Sequence, residues 1–150
     1  MPEKDTLQLE NELTDAEDIA DFLDYNRKIF KNLTLAEYLE ELLQEKNLSK
    51  TEVVKNSLLN SVYAYHIFAG RKKNPSRDKV IALAFAMNLT TKEAQRLLYY
   101  AGVEKLYAKN SWDSIILFAL ENNLTIDRAN NLLIKFSERP LLGDVGNGGD

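Results

Sequence analysis

The tripeptide Asn-Leu-Thr or Asn-Leu-Ser occurs four times in this chain, ending at Thr34, Ser49, Thr90 and Thr125. In three of the four a Glu stands three residues after the hydroxyl, at Glu37, Glu52 and Glu93, and Thr14 with Glu17 makes the same pair again. A hydroxyl followed at that spacing by a carboxylate is a capping box, in which the two side chains satisfy backbone N–H groups that the first turn of a helix leaves unpaired. The preceding Leu is placed to form a hydrophobic staple. The same tripeptide can be read as a glycosylation acceptor. The N-terminus, MPEKDTLQLE, is acidic and lacks the apolar run of a secretory signal, so the cytoplasm is the expected address and the hydroxyls are read as helix starts.

Behind these starts the apolar residues recur at i, i+3, i+4 and i+7, the spacing of one buried helical stripe. The sets are Ala16, Ile19, Ala20, Leu23; Leu35, Tyr38, Leu39, Leu42; and Val80, Leu83, Ala84, Met87. They continue with Ala94, Leu97, Leu98, Ala101; Trp112, Ile115, Ile116, Ala119; and Ala129, Leu132, Leu133, Phe136. No segment sustains strand-like alternation, and six Gly and three Pro in 150 residues disfavour a turn-rich β protein. The expected fold is all-α. Cys is absent, which excludes disulfides, thiolate nucleophiles and Cys-ligated metal sites. The longest apolar run, Val80 to Met87, is far short of the roughly 20 residues of a membrane span.

The chain divides by pattern into an acidic N-terminal arm and helix (1–32), a central helical domain (33–102), a C-terminal helical pair packed on it (103–142) and a flexible tail (143–150). Asn88-Leu89-Thr90 with Ala94, Leu97 and Leu98 is echoed by Asn123-Leu124-Thr125 with Ala129, Leu132 and Leu133. One echo is too few for a solenoid. It points to two helical hairpins with the same entry chemistry.

The stretch from Leu48 to Met87 carries the clearest functional signal. A helix opened by Ser49 leads through a three-residue turn, Ser57-Leu58-Leu59, into a second helix capped by Asn60 and running to Ala69. Gly70, the basic loop Arg71-Lys72-Lys73-Asn74, Pro75-Ser76 and a helix with Ile81-Ala82 and Met87 follow. In this order of elements, Leu35 to Ala101 resembles the phage-repressor and Cro type of helix-turn-helix, the XRE family of bacterial regulators. The resemblance covers a little under half of the chain. It implies a λ-repressor-like bundle, carrying here an added N-terminal helix and a C-terminal pair, that binds double-stranded DNA without a cofactor. The family usually has Ala where Val54 stands, Gly where Leu58 stands and a β-branched residue where Ala64 stands. Val54 with Ala64 is a swap that conserves volume. A branched side chain at Leu58 disfavours the left-handed turn and predicts a longer or differently shaped one. Phe68 stands where the family commonly has Glu.

The resemblance implies that Ser61, Val62, Tyr65 and His66 face the base edges of the major groove. Lys50, Asn60, Arg71, Lys72, Lys73 and Arg77 are the expected phosphate contacts. Charge follows the same division: the whole chain is net −4, whereas Ser49 to Lys109 carries eleven Lys and Arg against four Asp and Glu. A solvated basic loop is the plain alternative for Arg71 to Lys73. His66 is the only histidine and has no companions that would make it a metal ligand or a catalytic base. Tyr63, Ile67 and Phe68 are expected in the core. No enzyme constellation stands out.

Two readings follow. One is a DNA-binding transcriptional regulator, binding as a two-fold homodimer of the kind such repressors commonly form. The other is a protein-interaction adaptor or antitoxin-like module that keeps the fold but binds a protein. A protein partner would sit at the acidic N-terminal helix or at the C-terminal pair. The dense apolar stripe after Tyr107 either caps the core or exposes a dimer face.

Overall fold

Asn is the non-glycine residue that most readily takes the left-handed backbone conformation, because its short polar side chain can bond locally. In the computed structural model, Asn47, Asn88 and Asn123 all do so, at φ 54°, 54° and 55°. In each case the Asn and the following Leu close the preceding helix. Asn47 N donates to Gln44 O and Leu48 N to Leu43 O; Asn88 and Leu89 return to Phe85 and Ala84, and Asn123 and Leu124 to Leu120 and Ala119. This is the paired 5→2 and 6→1 bonding of a Schellman motif. The next residue then caps the following helix: Ser49 accepts from Glu52 N–H, Thr90 from Glu93 N–H and Thr125 from Arg128 N–H. At these three sites the tripeptide is thus a complete connector that stops one helix and starts the next.

The structure describes Ile19 and residues 33–143. The expected N-terminal helix, its Thr14–Glu17 box and residues 144–150 lie outside them. Seven helices run from Thr34 onward: α1 Leu35–Glu45, α2 Lys50–Asn56, α3 Ser61–Phe68, α4 Arg77–Ala86, α5 Thr91–Ala101, α6 Ser111–Glu121 and α7 Ile126–Lys135. No strand is present among the described residues, so the all-α expectation holds. Thr34 and Thr90 form complete boxes, each also receiving the Glu carboxylate at its own N–H. Lys46 Nζ lies 3.0 Å from Glu93 Oε1, tying the end of α1 to the start of α5. Gly102 ends α5 in the left-handed region at φ 74°, which glycine adopts without a Cβ clash.

The sequence stripes are mostly the core. Leu35, Tyr38, Leu39 and Leu42 are buried, as are Val80, Leu83, Ala84, Met87, Ala94, Leu97, Leu98 and Ala101. Helix α4 is the hub: every residue from Lys79 to Phe85 is buried, and it touches α2, α5 and α7. Each large aliphatic side chain enclosed there contributes about 1.5–3 kcal/mol of transfer free energy. The stripe of α7 is a partial exception, because Phe136 is exposed. Beyond α7 the chain turns back and inserts Leu141 into the core, held by the buried Asn130, whose Oδ1 accepts from Leu141 N at 2.6 Å.

The C-terminal pair lies in the same compact unit as the helices before it. Two arginine forks hold it. Arg77, at the first turn of α4, donates to both Asp113 oxygens at 3.1 and 2.7 Å. Arg139, after α7, donates to both oxygens of Asp78 at 2.8 and 3.2 Å. Trp112 lies near both guanidinium groups, 4.3 Å from that of Arg139 and 5.9 Å from that of Arg77, and its indole N–H donates to Arg139 O.

Candidate nucleic-acid interface

Two helices close together around a three-residue turn need one residue that reverses the chain, and here it is Leu58, at φ 62°. A leucine in the left-handed region costs about 1–2 kcal/mol relative to the right-handed one. The turn keeps its three-residue length all the same, and the longer or reshaped turn that a branched side chain predicts is not observed. The neighbouring Ser57 makes the conformation tenable. Ser57 is fully buried; its Oγ donates to Val54 O at 2.7 Å and accepts from Leu59 N–H at 3.2 Å. In the asparagine connectors, the equivalent N–H and carbonyl bond each other directly. The serine hydroxyl therefore relays the 6→1 bond between α2 and α3. Val54 and Ala64 are both buried.

Asn60 then opens α3, its side chain accepting from Tyr63 N–H at 3.1 Å. The helix buries Ala64, Ile67 and Phe68. Its outer face presents Ser61, Val62 and Tyr65, all exposed, with Val62 at 62%. His66 is half-buried at the margin of that face. The Tyr65 hydroxyl lies 3.4 Å from Thr51 Oγ1, so the ring reaches from α3 to the exposed first turn of α2. Thr51 is part of this surface, and no sequence pattern marked it.

After α3, Gly70 takes φ 81°, and Arg71 and Lys72 both return their N–H groups to His66 O, at 2.9 and 3.1 Å. The basic loop is thereby folded against the end of the helix, with Arg71, Lys72 and Lys73 exposed. Tyr63 is half-buried rather than in the core, and lies under two ammonium groups, Lys79 at 4.3 Å and Lys72 at 5.4 Å from its ring. Such contacts place cations without neutralising them.

The remaining expected contacts divide. Lys50 is half-exposed, 3.6 Å from Glu40 and 5.6 Å from the Phe68 ring. A surface pair of this kind is worth under about 1 kcal/mol and releases its cation readily. Asn60 spends its side-chain oxygen on the helix cap. Arg77 does not fit the role of a phosphate contact. Besides Asp113, its Nε donates to Glu104 O and its Nη2 to Lys105 O, both at 2.9 Å. The fork faces inward, to the loop before α6, and is committed to holding that loop in place. The pairing spans 36 residues of sequence, so no local pattern announced it.

Ser61, Val62, Tyr65 and Thr51 thus form one exposed, uncharged surface, with Arg71, Lys72 and Lys73 at its C-terminal end and Lys50 on α2. The apolar stripe of α6 divides as well: Trp112, Ile116 and Leu120 are buried and Phe118 is exposed. Phe118 borders an open groove of about 400 Å³ that it lines with Leu124, Leu132, Arg128, Asn131 and Lys135. Among the described residues no group of three His, Asp or Glu is gathered as a metal site, and no helix is long and apolar enough to cross a membrane. No family model, curated protein or solved structure matches the chain.

Proposed function

We propose that this protein is a DNA-binding transcriptional regulator of the helix-turn-helix kind, with α3 lying in the major groove of double-stranded DNA. The observation that carries the reading is the join of α2 to α3. A left-handed residue in a three-residue turn joins α2 to α3, which buries one face and exposes the other, with three exposed cations in the loop that follows. Ser61, Val62, Tyr65 and His66 are the proposed base-facing residues. Lys50, Asn60, Arg71, Lys72 and Lys73 are the proposed phosphate-side residues. The local excess of basic residues between Ser49 and Lys109, within a chain of net −4, is consistent with a backbone footprint confined to one region.

A palindromic operator bound by a homodimer would follow the usual symmetry of such regulators. The exposed Phe118 on α6 is the proposed contact for the second copy.

A second reading, an adaptor or antitoxin-like module that binds a protein, is favoured by one observation: the exposed face of α3 carries no Lys, Arg, Asn or Gln. Selection of bound fragments from genomic DNA, followed by a salt titration of the best fragment, separates the two. A regulator yields an enriched site whose affinity falls steeply with salt, each phosphate contact contributing roughly −0.9 to the log–log slope. Reversing Arg71, Lys72 and Lys73 to Glu abolishes that binding. Absence of enrichment at low salt sinks the regulator reading.

A further inference from the structure

A helix that reads guanine or adenine strongly does so with a forked donor or an amide: Arg or Lys on guanine, Asn or Gln on adenine. Helix α3 has none of these between Ser61 and Phe68. Asn60, just before it, has its side-chain oxygen engaged in the cap. The face turned outward offers a hydroxyl at Ser61, an aliphatic group at Val62 and an aromatic ring at Tyr65. Val62 and Tyr65 are three residues apart and therefore neighbours on one side of the helix. The Tyr65 ring is drawn toward α2 by the Thr51 hydroxyl, which leaves Val62 as the most exposed aliphatic side chain of α3. In the major groove the one apolar group that a base presents is the 5-methyl of thymine.

We propose that α3 reads thymine through its 5-methyl group, with Val62 as the contact, so that the chain prefers thymine-bearing sites over the same sites carrying uracil. This rests on the DNA reading above. The occupant is argued from charge as well as from apolarity. The exposed cations Arg71, Lys72 and Lys73 follow the uncharged face at the C-terminal end of α3, and a phosphate backbone bordering a methyl-lined groove floor presents that arrangement in complement.

The test uses the duplex that the protein enriches from a random-sequence library, synthesised in two forms, one with thymine and one with deoxyuridine throughout. Burial of one methyl group corresponds to about fourfold in affinity, so the wild type should lose about fourfold for each methyl it contacts when thymine is replaced. Val62→Ala should bind the thymine form more weakly and treat the two forms nearly alike. Because Val62 is exposed, its truncation should leave the circular dichroism spectrum and melting temperature unchanged. Equal affinity of the wild type for both forms overturns the inference while the DNA reading stands. So does a Val62→Ala protein that keeps the full preference for thymine. Failure to enrich any duplex overturns both, in favour of a protein partner for the same face.

Discussion

Replacing Asp113 by Leu should cost the fold about 3 kcal/mol, and the reason lies in what the carboxylate satisfies. Its side chain is 7% exposed, and that of its partner Arg77 is 24% exposed. Asp113 accepts two bonds from the Arg77 fork and a third from Tyr107 N–H at 2.8 Å. Removing one partner of a buried pair typically costs about 3–5 kcal/mol, because the other charge is left uncompensated. Arg77 keeps its bonds to Glu104 O and Lys105 O and some access to water, so the lower end applies. At roughly 4 °C per kcal/mol for a unit of this size, the melting temperature should fall by about 12 °C. Arg77→Met should cost a similar amount. The double variant should cost less than the sum of the two by about 2 kcal/mol, since each single change already removes the same interaction. Thermal and urea unfolding followed by circular dichroism measure all three quantities. Losses under about 0.5 kcal/mol, or strict additivity, would refute the reasoning, since such small effects are typical of surface substitutions. The same variant separates structure from recognition. Below its melting temperature, Arg77→Met should leave the salt slope of the proposed DNA binding unchanged, whereas loss of a phosphate contact would lower it by about 0.9.

Three more outcomes follow from the connections between helices. Ser57→Ala should destabilise by about 2 kcal/mol in urea unfolding, because it strands the Val54 carbonyl and the Leu59 N–H in a buried turn. At Leu58 the usual order of conservative changes should invert. Leu58→Val should be less stable than Leu58→Gly by about 1 kcal/mol, since a β-branched residue is poorly tolerated at positive φ and glycine adopts it freely. Burial alone would raise the pKa of Glu93, but hydrogen bonds from Thr90 and the nearby Lys46 ammonium outweigh it and hold the carboxyl below its ordinary value. A lowered folded value means stability that is present at neutral pH and is lost as pH falls through that value. Glu93→Gln should therefore flatten the acid limb of the stability–pH curve, and an unchanged acid limb would contradict the assignment.

The hydroxyl caps and apolar stripes were legible because both are local signals, written within four to eight residues of one another. So was the α2–turn–α3 order, from its cap residues and the Gly70 to Pro75 spacing. The Asn of the repeated tripeptide carries a readable signal of its own, a residue suited to positive φ placed just before each cap. Leu58 could not be read correctly from its own propensity, since the hydroxyl of Ser57 and the surrounding packing override it. The nearness of Arg77 to the basic loop in sequence says nothing of Asp113, which only the folded chain brings beside it. The same holds for Phe136, whose stripe position is apolar although the helix leaves it facing water.

The two arginine forks also bear on how this chain can be divided. Cut after Gly102, the segment that carries α2 and α3 would keep Arg77 and Asp78 at the head of α4, yet lose the Asp113 and Arg139 groups that they grip. Leu141 would no longer close the core, and the side of α4 that meets α7 would lie open to water. The segment that carries α2 and α3 is therefore not a portable module. Any fusion or recombination that transplants it must extend through Leu142, whose own N–H bonds Asp78.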